Sequence, residues 1–170
     1  IASGTGEHGA FLTESLPGLE WTYSDIDQAG LDSQQAWRAA SGHDRLHGPL
    51  ALDASLPDWG EAEAARPWDA VVSMNMVHIA PFTVAEGLFA GAGRVLGAGG
   101  KLFLYGPFAR KGVIAPSNAA FRENLQRRNP DWGVRDLDLE LLPLASLAGL
   151  ELRHVTEMPA NNLAVVFERH

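Results

Sequence analysis

The sequence of 170 residues predicts a three-layer α/β fold, with helices on both faces of a mostly parallel sheet. Short, continuously apolar segments alternate with segments of helical composition, which is typical of parallel strands joined by helical crossovers. A glycine-rich turn, Gly4–Gly9, opens the first helical segment. Only the five residues Met158–Asn162 join the last two apolar segments. Because a parallel crossover needs a longer connection, we expect these two segments to form an antiparallel hairpin.

Five parallel strands are predicted from the apolar segments: Ile1–Ala2, Glu20–Ser24, Leu50–Leu52, Trp68–Met74 and Lys101–Tyr105. Helices are expected between and after them, and the first three end at a glycine or proline: His8–Leu16, Gln28–Ala40, Thr83–Leu96, Ser117–Arg128 and Leu137–Ala148. The terminal hairpin comprises Leu150–Glu157 and Leu163–Glu168.

Composition excludes several classes of function. There are 13 Lys and Arg against 21 Asp and Glu, a net charge of −8, whereas nucleic acids and anionic membranes require clustered basic residues. The absence of cysteine excludes disulfides, thiolate catalysis and Cys-ligated zinc, and it agrees with a cytoplasmic location. The histidines show no H-E-x-x-H spacing, so no metal site is predicted.

No repeat or linker divides the chain, and we predict a single domain over residues 1–170. The chain begins Ile1-Ala2-Ser3-Gly4, immediately before the glycine turn and without an initiator Met. We therefore expect an N-terminal segment and part of the first strand to precede it.

The glycine turn predicts a nucleoside-type ligand. Gly4, Gly6 and Gly9 fit the spacing G-x-G-x-x-G between a strand and a helix, where a ligand can approach the backbone and the helix N-terminus offers free N–H groups. Asp25, 19 residues after Gly6, ends the second strand and is placed to bind ribose hydroxyls. NAD and S-adenosylmethionine (SAM) both use this geometry. Asp53, directly after the third strand, and the terminal hairpin favour SAM.

With these residues in view, the sequence resembles the class I SAM-dependent methyltransferase superfamily, and within it an uncharacterised methyltransferase-like family. The resemblance is carried by short strings spread along the chain: Ile1–His8, Asn75–Ile79, Leu104–Phe108, Ser117-Asn118 with Phe121, Arg128–Gly133, Arg135-Asp136 and Met158–Leu163. It implies a Rossmann-like αβα sandwich whose sheet has seven strands, the last two as the antiparallel hairpin.

The resemblance also implies SAM as the cofactor, held at the carboxyl ends of the first four strands. The glycine loop would border the methionine moiety, Asp25 would bind the ribose, and Asp53 would accept from the adenine amino group. Asn75 would flank the sulfonium. The full set of implied cofactor-binding residues is Ser3, Gly4, Thr5, Gly6, His8, Asp25, Ile26, Asp53, Ala54, Asn75 and Met76.

Methyl transfer needs a general base only if the acceptor begins as a neutral O–H or N–H group. His78, just past the fourth strand, and Tyr105, at the end of the fifth, are the candidate catalytic residues. Each has an ordinary structural alternative. His78 could be a turn residue bonded to backbone, and Tyr105 could be a half-buried strand residue.

Polar and aromatic residues before and within the terminal hairpin are candidates for binding the acceptor: Asn118, Trp132, Arg135, Asn161 and Asn162. An arginine there could bind a carboxylate or phosphate through two hydrogen bonds. Arg122 and Arg127 fit better on a solvated helix face, and Asn161-Asn162 is also an ordinary turn signal.

The sequence therefore predicts a SAM-dependent methyltransferase of a small-molecule acceptor, with neither nucleic acid nor membrane as a partner. A non-catalytic protein that binds an adenosyl ligand or a partner on the same fold is the alternative. An NAD-linked oxidoreductase is a third. The sequence does not indicate an oligomeric state.

Overall fold

The computed structural model describes residues 1–64 and 67–170. The α-helices are α1 (Glu7–Ser15), α2 (Gln28–Ala40), α3 (Glu61–Ala64), α4 (Phe82–Val95), α5 (Pro116–Arg128) and α6 (Leu142–Leu147). The strands are β1 (Trp21–Asp25), β2 (Leu46–Ala51), β3 (Trp68–Met74), β4 (Leu96–Ala109), β5 (Arg135–Asp136), β6 (Leu150–Met158) and β7 (Asn162–Arg169). A π-helical turn, Leu137–Leu141, precedes α6. None of the described helices combines the length and the hydropathy that crossing a membrane requires.

The chain divides into two compact units, of which the first comprises Ile1–Asp53 with Gly60–Ala62. In this unit β1 and β2 pair in parallel. Its core contains Ala10, Tyr23 and Leu46, with Trp21 packed against them. The backbone of α1 lies directly on these rings, because a Cβ at Gly9 would overlap Tyr23 and lie 2.7 Å from the indole of Trp21.

The second unit comprises Ala54–Trp59 with Glu63–His170 and contains a five-stranded mixed sheet. The strand order is β3-β4-β7-β6, and β5 pairs with the end of β4. β3 and β5 run parallel to β4, whereas β7 is antiparallel to both β4 and β6. Leu102, Val165 and Phe167 are fully buried in the sheet, and the ring of Phe167 meets Phe89 of α4 edge-on at 5.2 Å.

Replacing Gly87 with alanine is expected to destabilise the fold by roughly 1–3 kcal/mol, although alanine favours a helix by about 1 kcal/mol over glycine. A Cβ at this position of α4 would overlap the carbonyl oxygen of Ala54 and lie 2.7 Å from the Cα of Ser55, so backbone would have to move. Urea unfolding measures the loss. Gly18→Ala is the control, since nothing lies within 4 Å of its Cβ position. Equal stability of Gly87→Ala and wild type would contradict the close packing of α4.

The mixed α/β architecture and the terminal hairpin agree with the prediction. All five predicted helical segments are helical, although Leu137–Ala148 begins as a π-turn. β6 and β7 pair antiparallel from Leu150↔Arg169 to Met158↔Asn162. The fifth predicted strand is longer than expected at both ends, because β4 runs from Leu96 to Ala109.

The prediction of one seven-stranded, mostly parallel sheet is wrong. The described strands form a two-stranded parallel sheet and a separate five-stranded sheet in which β7 is antiparallel to both of its neighbours. The strand expected at Ile1–Ala2 is not formed, since Ala2 has a φ of +54°, outside the extended region. The adjoining Ser3 donates one backbone hydrogen bond to Ser24, at 2.9 Å.

Candidate functional site

The glycine loop of the first unit is held by side chains that bind its carbonyl groups. Gln34 Nε2 donates to the oxygen of Gly4 at 2.8 Å, and Ser33 Oγ donates to that of Thr5 at 2.8 Å. The buried hydroxyl of Tyr23 donates to the oxygen of Gly6 at 2.7 Å. These three side chains were not predicted as part of the site.

Because the carbonyl groups of the glycine loop accept these hydrogen bonds, the N–H groups that follow them point in fixed directions. In a trans peptide the N–H group points opposite to the preceding carbonyl. The N–H of Thr5 is therefore turned away from Gln34, and the N–H of Glu7 is turned away from Tyr23. Gly6, with a φ of +91°, precedes α1 and offers no side-chain cap to the first turn. Amides in such a position can bind polar or anionic groups of a ligand.

The carboxylate of Asp25 joins the glycine loop to the end of β1. Its Oδ2 accepts from the N–H of Gly4 at 2.8 Å. Its Oδ1 accepts from the N–H groups of Ile26 at 2.8 Å and Asp27 at 3.1 Å. Gln34 Nε2 approaches Oδ2 at 3.5 Å, so all four acceptor directions of the carboxylate face a donor, and this fourth contact is the longest. The Ile26 side chain beside it is 70% exposed.

The predicted cofactor-binding residues belong to both units. Eight are in the first: Ser3, Gly4, Thr5, Gly6, His8, Asp25, Ile26 and Asp53. Ala54, Asn75 and Met76 are in the second.

The structure joins Gly4 to Asp25 directly by a hydrogen bond. Asp53 follows Leu52, whose N–H donates to the carbonyl oxygen of Asp25 at 2.9 Å. Asn75 is exposed with a φ of +57°, and its N–H donates to Tyr105 at 2.8 Å.

His78 lies in the loop after β3 and is buried, with 1% of its surface exposed. The rings of Phe108 and Phe121 meet the imidazole edge-on, with centroids 6.3 and 6.2 Å away. A Cβ at Gly106 would overlap Cε1 of His78, so only glycine leaves space for the ring. Within the part of the chain that the structure describes, Nδ1 is buried without a hydrogen-bond partner.

Burial lowers the pKa of His78 to about 4, and the positive charge of Arg135 contributes in the same direction. The imidazole is therefore neutral at neutral pH and has a nitrogen lone pair that can accept a proton. A buried polar nitrogen without a partner is uncommon in folded proteins and is often found at functional positions.

Acid is expected to destabilise the chain through His78. Its pKa is about 4 in the folded chain and about 6.5 in the unfolded chain, so the unfolded state takes up the proton first as the pH falls. The contribution of His78 to the free energy of unfolding is complete above pH 6.5 and is lost as the pH falls toward 4. Between about pH 7.5 and 5 the free energy of unfolding is expected to decrease by about 2 kcal/mol. Urea unfolding of wild type and His78→Gln at both pH values measures it. The variant should lack this part of the pH dependence, and identical dependence in both proteins would contradict it.

Tyr105 is half-buried in β4, opposite Met74 of β3 and Ala164 of β7. Its carbonyl oxygen accepts the N–H of Asn75, which brings the ends of β3 and β4 together. Among the described contacts, none joins its hydroxyl to His78.

Of the predicted acceptor-binding residues, the structure brings Asn118 and Asn161 together. Asn118 is buried on α5, and its Nδ2 donates to the carbonyl oxygen of Asn161 at 2.9 Å. Asn161 Nδ2 in turn donates to Ser117 Oγ at 2.8 Å. The neighbouring Asn162 donates to the oxygen of Pro159 at 3.1 Å. These bonds tie the start of α5 to the connection between β6 and β7.

Trp132 and Arg135 have different surroundings. Trp132 is half-buried, and the guanidinium of Arg128 lies over its ring, 5.2 Å from the centroid. Arg135 is 9% exposed and donates to backbone carbonyl groups on both sides of His78.

Comparison with known proteins adds a family and a fold. A family model described as "Protein of unknown function (DUF938)" matches residues 1–169. An O-methyltransferase family 2 protein from Planctomyces limnophilus DSM 3776, in complex with apigenin, has a TM-score of 0.78 and 18% identity over 99% of this chain and 49% of that chain. CalO1, a methyltransferase in calicheamicin biosynthesis in its SAH-bound form, has a TM-score of 0.75 and 17% identity over 100% of this chain and 47% of its own.

A structure described as a pericyclic reaction enzyme is also similar, with a TM-score of 0.77 and 15% identity over 100% of this chain and 42% of that chain. At these identities the likeness establishes the fold. The chain spans between 42% and 49% of the length of these three structures.

Proposed function

The chain belongs to the DUF938 family of proteins of unknown function, and from that premise we propose that it is a SAM-dependent methyltransferase of a small molecule. The observation that carries the proposal is the cradle of the first unit, in which Asp25 accepts the N–H of Gly4 while side chains hold the carbonyl groups of Gly4, Thr5 and Gly6. Similarity in fold to an SAH-bound methyltransferase supports it.

The residues of the cradle fit an adenosyl ligand. A ribose hydroxyl would replace the long contact of Gln34 with Asp25, at 3.5 Å the weakest of the four on that carboxylate. The exposed Ile26 side chain offers an apolar surface to a purine. The N–H groups of Thr5 and Glu7 would bind polar atoms of the methionine moiety. Asp53 is assigned to the adenine amino group. When bound, SAM supplies a methyl group activated on a positively charged sulfonium.

In the second unit, we assign the role of general base to His78. The neutral imidazole would accept the proton that a hydroxyl or amine acceptor loses as it attacks the methyl group. Among the described residues none occupies Nδ1, so an acceptor that reaches this buried nitrogen would find its hydrogen-bonding capacity unused. Tyr105 is the second candidate for this role.

The acceptor side is assigned to polar and aromatic residues of the same unit. Trp132, half-buried beneath the guanidinium of Arg128, offers an aromatic face next to a positive charge, a combination that suits a planar or anionic acceptor. Asn118, Asn161 and Asn162 complete the assignment, as the segment that links α5 to the hairpin.

A second candidate function is binding of an adenosyl ligand without methyl transfer. Similarity in fold to a pericyclic reaction enzyme supports this second candidate, since one fold can carry chemistries that are unrelated to each other. An NAD-linked oxidoreductase has no comparable support.

Incubation of the chain with methyl-labelled SAM and a panel of phenols, carboxylates and amines tests the proposal. We expect S-adenosylhomocysteine (SAH) and a labelled acceptor to form together in at least one reaction. Binding of SAM and SAH with no product from any class of acceptor would instead support the second candidate.

A further inference from the structure

Arg135 is a buried cation whose hydrogen-bond donors point at backbone carbonyl groups. Its Nε donates to the oxygen of Val77 at 3.0 Å. Its Nη2 donates to the oxygen of Ala80 at 2.7 Å and to that of Asp131 at 2.9 Å. The guanidinium also lies against the ring of Phe82, 5.4 Å from its centroid. Among the described ion pairs, none includes Arg135.

The carbonyl groups that Arg135 binds belong to the loop that carries His78. Val77 directly precedes His78, and Ala80 follows two residues later. The N–H of Gly133, two residues before Arg135, donates to the carbonyl oxygen of His78 itself at 3.0 Å. The loop is therefore tied to residues 131–135 through several bonds, and those from a charged donor are about twice as strong as neutral ones.

The charge of Arg135 also acts on the imidazole. The other groups against His78 are uncharged: Phe108 and Gly106 of β4 and Phe121 of α5. Arg135 is the charged group that acts on His78, whereas Asp131 and Glu140 act on Arg135 itself. A fixed positive charge close to an imidazole opposes its protonation.

We infer that Arg135 is a positioning residue for His78, which holds the loop of the imidazole by its carbonyl groups and keeps a permanent positive charge on that loop. This role rests on the proposed function, in which His78 is the base. It differs from the binding of a substrate anion that the sequence predicted for Arg135, because Nε and Nη2 already have acceptors in the chain.

The test is an NMR titration of the His78 ring in the full chain, with the resonance assigned by its absence in His78→Gln. In Arg135→Met the midpoint of His78 protonation is expected to rise by about 1 pH unit, because the opposing charge is lost while burial remains. Arg127→Met is the control, since Arg127 is an exposed residue of α5, and its midpoint should equal that of wild type.

Hydrogen exchange gives a second readout of the loop. Without the guanidinium, the amides of Ile79 and Gly133 should exchange roughly tenfold faster, because their acceptors lie in the loop that Arg135 holds. If Arg135→Met does not fold, Arg135→Gln replaces it and should show the same rise in midpoint. A folded neutral variant with an unmoved His78 midpoint would overturn the proposal.

Neither readout requires methyl transfer. If His78→Gln retained full activity, the assignment of the base would fail, while the coupling between Arg135 and His78 would still be measured by the titration. The two failures are therefore distinguishable.

Discussion

Replacing His78 with glutamine is expected to lower kcat for methyl transfer by about 10²- to 10⁴-fold, the usual loss when a general base is removed. Glutamine is polar and similar in size but does not accept a proton at neutral pH. The affinity for SAH should be unchanged, because the residues assigned to the cofactor's ribose and methionine portions lie in the first unit. Steady-state formation of SAH with a saturating acceptor measures kcat, and calorimetry measures the affinity.

His154→Gln is the matched control, since His154 is exposed on β6 and the substitution makes the same chemical change. We expect wild-type kcat for this control. If His78→Gln also kept wild-type kcat, His78 would be a buried structural residue, and comparison of Tyr105→Phe with wild type would then test the second candidate base.

Removal of the Asp25 carboxylate should give the largest loss of cofactor affinity. Asp25→Ala is expected to weaken binding of SAH by about 1–3 kcal/mol, or roughly 5- to 150-fold, the order for losing a hydrogen bond to a charged group. The carboxylate is proposed to bind the ribose, and it also accepts the N–H groups of Gly4 and Ile26. Its loss therefore removes a ligand contact and a tie of the glycine loop.

The control is Glu14→Ala, which removes a carboxylate of equal charge from an exposed position of α1. Its affinity for SAH should equal that of wild type. An Asp25→Ala protein that is folded and binds SAH as tightly as the control would show that the ribose is bound elsewhere.

Much of the fold is predictable from local sequence signals. Gln28–Ala40 is helical as predicted, because Asp27 supplies an N-cap acceptor to Gly30 and Ser41-Gly42 follows the last turn. The hairpin follows from the short connection between β6 and β7. The error at Ile1–Ala2 has a different origin, because an apolar dipeptide does not reveal whether a neighbouring strand is available to pair with it.

Residues proposed to act through their own chemistry could be chosen from the sequence. Asp25 and Gly4, chosen for their spacing, are joined in the structure by a hydrogen bond of 2.8 Å. Gln34, Ser33 and Tyr23 were missed, because their role is to bind loop carbonyl groups across 17 to 30 residues of sequence. No local pattern marks such contacts.

Arg135 shows the limit of reasoning from residue type. An arginine before the terminal hairpin suits binding of an anionic substrate, and in the structure its Nε and Nη2 donate to the carbonyl groups of Val77 and Ala80. The requirement for glycine at position 106 of β4 is also not visible in the local sequence. It arises because the ring of His78, in the loop after β3, occupies the space of a Cβ. Both roles depend on tertiary contacts.

Calorimetric titration of the full chain with SAM, SAH and NAD tests most directly whether the cradle of Gly4, Gly6 and Asp25 serves an adenosyl ligand of the methyltransferase type. We predict saturable binding of SAM and SAH that Asp25→Ala weakens and Glu14→Ala does not, with no comparable binding of NAD. Saturable binding of NAD by a chain that binds neither SAM nor SAH would contradict the proposed function.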